Sequence, residues 1–289
     1  MTSNYTSKDF FAQYPLRDPQ SNKFDNGVIA LIAGSAGMAG ACSLNILGAR
    51  LIGASYIHVI LPKEIYPLVA GKENTCVYHF DDGGKLNTEV IPSGLFKKVK
   101  AVGFGSGLTN LPFKEVYLKS LLNLELPLVV DAEGLRILAK DPYLLHSHRY
   151  PLILTPHLGE FASLTALTIE EIKDNKEEIV RKYASDNQIY LVLKGPHTLI
   201  ASPNGDLYTN HSGNEALARA GSGDLLTGMI TGMLGINPDI FNSLKAAVWF
   251  HGHLADEAIK THSKELFDFE QLYPLADKFF FERQKQNKP

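Results

Sequence analysis

Residues 28–61 read VIALIAGSAGMAGACSLNILGARLIGASYIHVIL, and this stretch decides the fold class. It opens with an unbroken apolar run, 28–33, that ends at Gly34, and it closes with a second apolar run over 56–61. Between these runs, residues 40–54 are rich in small side chains and predict a tightly packed helix. A strand, a helix and a second strand in this order predict a βαβ unit and therefore a parallel sheet.

Further short apolar runs extend the same pattern along the chain, and they cover 99–104, 127–131, 152–155 and 190–194. Because these runs are continuous rather than alternating, they predict a sheet that is buried on both faces. Two later runs, 198–202 and 206–209, flank Asn204-Gly205, which is a strong hairpin signal. We therefore expect a three-layer α/β/α fold with a mostly parallel central sheet and an antiparallel edge hairpin, in a single domain over 1–289.

The composition excludes several functional classes. Of the 289 residues, 45% are hydrophobic, and 28 basic against 31 acidic residues give a net charge of −3. Without a long basic run, we expect no nucleic-acid partner. No apolar run reaches the ~18 residues of a membrane-spanning helix, and the N-terminus lacks the basic and apolar regions of a secretory signal. The sequence therefore predicts a cytoplasmic protein without a membrane partner.

The strongest chemical signal is Gly221-Ser222-Gly223-Asp224, after which a helical pattern begins. Glycines let the backbone approach a ligand closely, and the amides and positive dipole end of a helix N-terminus suit a phosphate. We predict that Gly221, Ser222 and Gly223 form an anion hole. A carboxylate beside that hole would repel phosphate, so we predict that Asp224 is the catalytic base for an attacking hydroxyl. The alternative is that Ser222 or Asp224 merely caps the helix.

Two further strand ends carry polar side chains. In Thr155-Pro156-His157-Leu158-Gly159-Glu160, His157 is suited to bond a substrate amide or phosphate, and Glu160 to hold magnesium through water. The alternative for His157 is a solvent-facing loop residue. Lys194 ends the next strand and is suited to neutralise a nucleotide phosphate, with a surface lysine before a turn as its alternative. Ligands of open α/β sheets bind beyond these carboxyl ends.

Two common nucleotide motifs do not match. The loop 34–41 follows a strand and precedes a helix, but it does not fit Gly-x-Gly-x-x-Gly, and no acidic residue ends the next strand at Leu61. A Rossmann dehydrogenase is therefore disfavoured. No Gly-Lys-Ser/Thr follows the glycines of 221–223, so this turn is not a Walker A loop.

Together these segments resemble the ribokinase-like superfamily and, within it, the NAD(P)H-hydrate dehydratases. Those enzymes carry a Gly-Ser loop, a Gly-x-Gly-x-Gly turn, an Asp-Ala-x-x-Leu strand end, Thr-Pro-His-x-Gly-Glu, Lys-Gly-x-x-Thr and Asn-x-x-x-Ala-x-x-Gly-Ser-Gly-Asp. The same motifs occur here in the same order, at 34–35, 103–107, 131–135, 155–160, 194–198 and 214–224. They span nearly the whole chain, and the resemblance implies a ribokinase-like fold.

The resemblance implies a repair enzyme that dehydrates the S epimer of NADHX and NADPHX, the hydrated forms of NADH and NADPH. Its co-substrate would be ADP, or ATP as in eukaryotic members, with Mg²⁺ as cofactor and AMP and phosphate as products. Family members are often tetramers, so we expect a homo-oligomer. The epimerase domain that is fused upstream in many bacterial members is not expected here.

The resemblance also assigns site residues. Asp224 would be the base, and the amides of 221–223 the anion hole. The nucleotide would be bound by Lys194, Gly195, Pro196, His197, Thr198 and Gly223. The hydrate would be bound by Ala41, Gly105, Gly107, His157 and Asp224.

Two residues depart from the family pattern. Ala220 replaces the first glycine of a usual Gly-Gly-Ser-Gly-Asp, and Met38 stands where an aromatic residue is common. One alternative is an alcohol kinase of the same superfamily, of the hydroxyethylthiazole or hydroxymethylpyrimidine type, although Thr-Pro-His-x-Gly-Glu weighs against it. Another is a nucleotide-binding module without activity, which the presence of Asp224 argues against.

Overall fold

The computed structural model describes residues 5–81 and 95–286. The strands in this part of the chain are β1 (Val28–Ile32), β2 (Tyr56–Pro62), β3 (Val77–Asp81), β4 (Ala101–Phe104), β5 (Leu128–Val130), β6 (Leu152–Leu154), β7 (Tyr190–Leu193), β8 (Leu199–Ala201) and β9 (Leu207–Thr209). The α-helices are α1 (Ser7–Gln13), α2 (Ala39–Leu51), α3 (Tyr66–Ala70), α4 (Lys114–Leu121), α5 (Glu133–Lys140), α6 (Leu158–Thr165), α7 (Ile169–Asp174), α8 (Lys176–Asp186), α9 (Ser222–Ile236), α10 (Ile240–Ala258) and α11 (Leu272–Gln286). Within the described ranges, no helix has the length and apolar character needed to cross a membrane.

The strands form one sheet in the order β3-β2-β1-β4-β5-β6-β7-β8-β9. Strands β1 to β7 pair in parallel, whereas β8 is antiparallel to both β7 and β9. The mostly parallel sheet and its antiparallel edge hairpin, with the turn at Asn204-Gly205, are therefore confirmed.

Strand β3 was not predicted from the sequence. It reads VYHFD and lies at one edge of the sheet, where, among the described strands, it pairs with β2 alone. An edge strand is not enclosed on both sides, and it does not need the continuous apolar run of a central strand. Its polar His79 faces His58 of β2, with Nε2 and Nδ1 2.9 Å apart.

Hydrophobic cores cover both faces of the sheet, as a three-layer fold requires. Alternate residues of β1 enter opposite cores: Ile29 and Leu31 pack with α2, α9 and α10, while Ala30 and Ile32 pack with α4, α5 and α6. All five residues of β1 are buried, which agrees with the unbroken apolar run.

Helices α2 and α9 meet through glycines. A Cβ atom at Gly48 of α2 would overlap the carbonyl oxygen of Leu225, and one at Gly228 of α9 would overlap the carbonyl oxygen of Asn45. The two backbones therefore touch, and no side chain fits between them. This contact fixes the first turn of α9 against α2, at the edge of the sheet where the strands end.

Candidate active site

The loops beyond the carboxyl ends of the parallel strands are tied to one another. After β1, the Gly34 amide donates to the carbonyl oxygen of Ser106, which follows β4, at 2.9 Å. After β7, the Lys194 amide donates to the carbonyl oxygen of Pro156, which follows β6, at 2.8 Å. The polar residues that the sequence singled out therefore lie together at the carboxyl-terminal ends of the strands, as expected for an α/β ligand site.

Helix α9 begins at Ser222, and Gly221 is its N-cap, with a φ of 92° that favours glycine. No side chain caps this end, so neither Ser222 nor Asp224 acts as the cap. The Ser222 amide donates to the carbonyl oxygen of Arg219 at 3.3 Å. The amides of Gly223 and Asp224 have no acceptor in the described part of the chain. These two amides, at the positive end of the helix dipole, are free for an anion.

Asp224 lies half-buried in the first turn of α9. Its carbonyl oxygen accepts a hydrogen bond of 2.9 Å from the buried Asn45 side chain of α2. Burial, followed by the charge of Asp131, raises the pKa of the Asp224 carboxyl from 3.8 to about 6, against the lowering effects of Ser106 and Lys194. A carboxylate with this pKa is mostly ionised at neutral pH and is a stronger base than an exposed aspartate, as a general base requires.

Asp131 follows β5 and is 1% exposed. One of its oxygens pairs with Lys194 Nζ at 2.7 Å, and the other accepts from Thr227 Oγ1 of α9 at 2.8 Å. Lys194 Nζ also lies 3.1 Å from the position that a Cβ atom at Gly223 would occupy. Lys194 is therefore no surface lysine: it lies between a buried carboxylate and the start of α9. The sequence motifs assigned no role to Asp131 or Thr227.

The turn that follows Asp131 is strained. Ala132 has φ 46° and ψ −112°, an uncommon conformation for a residue with a side chain. The turn packs against Gly105, whose carbonyl oxygen accepts from the Glu133 amide at 3.3 Å. A Cβ atom at Gly105 would overlap the Asp131 carbonyl oxygen, so this packing alone requires a glycine there.

The turn after β4 also contacts the loop after β1. Ser35 Oγ donates to the carbonyl oxygen of Gly107 at 2.7 Å. A Cβ atom at Gly107 would lie 2.8 Å from the Cβ of Ala41 and 3.1 Å from that of Met38. Two of the residues expected at the hydrate site, Ala41 and Gly107, are thus adjacent. Met38, a departure from the family pattern, is 43% exposed beside them.

The other departure, Ala220, precedes the start of α9. It is exposed, and its φ is not among the positive values. The extra methyl group therefore strains neither the backbone nor the turn that holds the free amides.

His157 is the N-cap of α6. Its Nδ1 accepts from the amides of Gly159 at 3.0 Å and Glu160 at 3.2 Å, and a Glu160 oxygen accepts from the His157 amide at 2.9 Å. This reciprocal pair is a capping box. Because Nδ1 accepts hydrogen bonds, the proton of the neutral ring resides on Nε2. The side chain is 61% exposed, so Nε2–H can donate to a ligand.

Glu160 keeps one carboxylate oxygen outside the capping box, and its charge contributes to the raised pKa of Asp224. Across 5–81 and 95–286, no cluster of three or more histidine, cysteine, aspartate or glutamate side chains forms a metal site. Magnesium in nucleotide enzymes is commonly held by one or two carboxylates together with phosphates and water, and does not need such a cluster. The position of Glu160 therefore fits the predicted role.

Residues 194–198 form the loop between β7 and β8. Residues 195–197 are exposed, whereas Thr198 is buried and its hydroxyl donates to the carbonyl oxygen of Gly195 at 3.0 Å. His197 adopts a φ of 56°, and its Nδ1 lies 3.1 Å from Nδ1 of His211. The loop is thus closed by its own side chains while its middle residues remain open to a ligand beside Lys194.

A family model for NAD(P)H-hydrate dehydratase matches residues 29–272. The chain belongs to the NAD(P)H-hydrate dehydratase family. The resemblance carried by the motifs is therefore confirmed over most of the chain.

Similar proteins are known from several bacteria. The ADP-dependent (S)-NAD(P)H-hydrate dehydratase of Bacillus subtilis is 34% identical over 259 residues, which make up 90% of this chain and 91% of that protein. The bifunctional NAD(P)H-hydrate repair enzyme of Moorella thermoacetica is 34% identical over 272 residues, which make up 89% of this chain but 51% of that protein. The chain thus spans about half the length of this bifunctional relative.

Solved structures agree with the family assignment. The Bacillus subtilis ADP/ATP-dependent NAD(P)H-hydrate dehydratase, crystallised with ATP and Mg²⁺, matches with a TM-score of 0.86 at 32% identity, over 96% of this chain and 98% of that one. A hydroxyethylthiazole kinase from Pyrococcus horikoshii matches with a TM-score of 0.57 at 13% identity, over 87% of each chain. The second match shows a shared fold alone, so it does not support the kinase alternative.

Proposed function

We propose that this chain dehydrates the S epimer of NADHX and NADPHX to NADH and NADPH, consuming ADP and releasing AMP and phosphate. One observation carries the proposal: free amides, Lys194 and the raised-pKa carboxyl of Asp224 adjoin at the start of α9. This arrangement occurs in a chain of the dehydratase family. The name of the Bacillus subtilis relative states the same activity, with ADP and the S epimer specified.

In the first step, the hydroxyl group of the hydrated nicotinamide ring is phosphorylated. Asp224 removes the hydroxyl proton while the oxygen bonds to the β-phosphorus of ADP. The bond from that phosphorus to the bridging oxygen breaks, and AMP leaves with the electron pair. The raised pKa of Asp224 makes it a stronger base while leaving most of it ionised at neutral pH.

In the second step, the phosphorylated oxygen leaves the ring as phosphate. The carbon–oxygen bond breaks, phosphate keeps the electron pair, and the neighbouring ring carbon loses a proton to water. A carbon–carbon double bond forms, and the net change in the dinucleotide is the loss of water. Phosphate is a far better leaving group than hydroxide, which explains why a nucleotide is consumed.

The charge on the transferred phosphoryl group requires positive groups that are already in place. The amides of Gly223 and Asp224 and the dipole of α9 would supply part of this positive charge, within the anion hole assigned to 221–223. Lys194 supplies a full charge beside Gly223, and Asp131 holds it there at 2.7 Å. Glu160 would hold a magnesium ion through water, and the ion would supply positive charge beside the nucleotide phosphates.

The remaining assigned residues divide into two sides of the site. The loop 194–198 and Gly223 would hold the nucleotide. The adjacent Ala41 and Gly107, together with Gly105, would line the pocket for the hydrated ring. His157 would donate its Nε2–H to the amide or to a phosphate of the dinucleotide.

The proposal is tested by mixing purified protein with NADHX and either ADP or ATP in the presence of magnesium. Recovery of the near-ultraviolet absorbance of NADH is expected with a nucleotide and not without one. The parallel assay offers hydroxyethylthiazole and hydroxymethylpyrimidine with ATP. Formation of their phosphate esters, or failure to form NADH from NADHX with either nucleotide, would overturn the proposal.

The cytoplasmic location, the homo-oligomeric state and the organisation of residues 1–289 as a single domain remain part of this proposal. They rest on sequence composition and on the family resemblance. Sedimentation of the purified chain tests the oligomer, with a tetramer as the expected species.

A further inference from the structure

The Ser106 hydroxyl is a buried polar group without a partner. Ser106 lies in the turn after β4, between Gly105 and Gly107, and none of its surface is exposed. Its backbone is fixed, because its carbonyl oxygen accepts from the Gly34 amide at 2.9 Å. Its Oγ, in contrast, has no hydrogen-bond partner within the ranges that the structure describes.

An unpaired buried hydroxyl costs about 1–3 kcal/mol, and buried hydroxyls are almost always bonded. An alanine at position 106 would fill nearly the same space without this cost. The side chain is fully enclosed and its backbone is bonded to Gly34, so the hydroxyl does not reach solvent in this structure. A serine at this position therefore indicates that the hydroxyl finds a partner in another state of the site.

The partner that the structure offers is the carboxyl of Asp224. The Ser106 hydroxyl lies close enough to lower the pKa of that carboxyl, although the two groups do not yet meet hydrogen-bond geometry. The charged groups that also act on Asp224 are Asp131 after β5, Glu160 of α6 and Lys194 after β7. Lys194 donates to Asp131. Ser106, in the turn after β4, is therefore the neutral side chain that can donate a hydrogen bond to the Asp224 carboxyl.

We propose that Ser106 is a positioning residue, whose hydroxyl donates to one carboxylate oxygen of Asp224 and leaves the other oxygen to receive the proton of the ring hydroxyl. The inference rests on the proposed role of Asp224 as the base. Hydrogen bonds of catalytic groups are often long in the free enzyme and tighten once substrate is bound. No proton passes to Ser106, because its hydroxyl acts only as a donor.

Three variants test the proposal. Ser106→Ala removes the hydroxyl, and Ser106→Thr keeps it. Ser35→Ala is the matched control, because Ser35 is also buried in a neighbouring loop but its hydroxyl is engaged by Gly107 and the Asn110 amide. The measurements are kcat for NADHX against pH, which reports the enzyme with substrate bound, and the carbon-13 NMR titration of the Asp224 carboxyl in the free protein.

For Ser106→Ala, loss of a bond to the charged form raises the pKa of Asp224, because the carboxylate is no longer favoured. With substrate bound, loss of this hydrogen bond is expected to lower kcat about tenfold near pH 6 and less near pH 8. The NMR midpoint of the free protein moves upward by a smaller amount, because Ser106 already lowers this pKa without meeting hydrogen-bond geometry. Binding of ADP stays unchanged, and Ser106→Thr restores the acid limb of the profile. For Ser35→Ala, any change in kcat is expected to be the same factor at every pH.

Two outcomes would overturn the inference. One is an NMR midpoint and an acid limb that do not move in Ser106→Ala. The other is a loss of activity that is equal at every pH and is not restored by Ser106→Thr, which would indicate a packing role. Failure of the proposed function is distinguishable: wild type then forms no NADH from NADHX, while the NMR midpoints of wild type and Ser106→Ala still differ.

Discussion

Replacing Asp224 by asparagine should abolish turnover and, at neutral pH, make the protein more stable. The side chain keeps its size, but the half-buried negative charge next to Asp131 is removed. Burial and that neighbour raise the pKa of Asp224 from 3.8 to about 6, which means that the folded protein disfavours the charged form. Ionisation of Asp224 therefore destabilises the folded state of the wild type.

The size of this effect follows from the pKa difference of about two units, since each unit corresponds to about 1.4 kcal/mol. The destabilisation is absent below the unfolded pKa near 4, develops as the pH rises towards 6, and is complete above it. Asp224→Asn should therefore gain up to about 3 kcal/mol near pH 7. For a chain of this length that is a rise of roughly 5 °C in Tm.

The assay is thermal unfolding of wild type and Asp224→Asn at a series of pH values, together with turnover and ADP binding. Turnover should fall by ~10²–10⁴, the usual contribution of a general base, while ADP still binds. The difference in Tm should shrink as the pH falls and vanish near pH 4. Equal Tm values near pH 8, a difference in Tm independent of pH, or a variant with more than about a tenth of the wild-type rate would contradict a raised pKa and a catalytic role for Asp224.

Four further outcomes are expected. The kcat/KM of wild type should fall about tenfold between pH 7 and pH 5, as Asp224 is protonated around pH 6, and a flat profile would contradict its role as base. His157→Ala should raise the KM for NADHX and leave ADP affinity, measured by calorimetry, little changed, because a binding contact rather than the base is lost. Gly228→Ala should cost about 1–3 kcal/mol or more in urea unfolding, because its Cβ overlaps the Asn45 carbonyl oxygen, whereas Gly40→Ala, which meets open space, should not destabilise. ADP should support turnover better than ATP, and excess EDTA should stop it because a metal offsets phosphate charge, so full activity in EDTA would contradict the magnesium requirement.

Much of the fold was predictable because its central strands are short continuous apolar runs bounded by glycine or proline. Those runs gave eight of the strands and the antiparallel edge at Asn204-Gly205, which the structure confirms. Strand β3 was not predicted, because an edge strand is enclosed on one side and its polar residues break the apolar pattern. The close contact of α2 and α9 through Gly48 and Gly228 was also not predicted, since a glycine in a helical pattern does not show which backbone segment it will contact.

At the site, sequence motifs identified residue types but not their partners. Asp131 is 63 positions from Lys194 and 96 from Thr227, and no local spacing links such distant groups. The capping box of His157 with Glu160 did have a local signal, a polar residue followed three positions later by glutamate. It was missed because histidine is not among the favoured N-cap residues. The catalytic and binding roles assigned through the resemblance stay predictions until the variants are measured.

The ion pair of Asp131 and Lys194 shows how a lysine proposed to bind phosphate can be held in one orientation before the phosphate arrives. A free lysine would sample many rotamers, and holding it in place on binding would cost conformational entropy. Here Asp131 accepts a hydrogen bond from Nζ and holds the ammonium group near Gly223, which would leave the other N–H groups for an incoming phosphate. The ammonium group of Lys194 offsets part of the charge of Asp131, and Thr227 donates a hydrogen bond to its other oxygen. The same carboxylate raises the pKa of Asp224. Under the roles proposed for Lys194 and Asp224, this one buried residue, to which the sequence motifs gave no role, would orient the positive charge for the phosphate and strengthen the base for the hydroxyl.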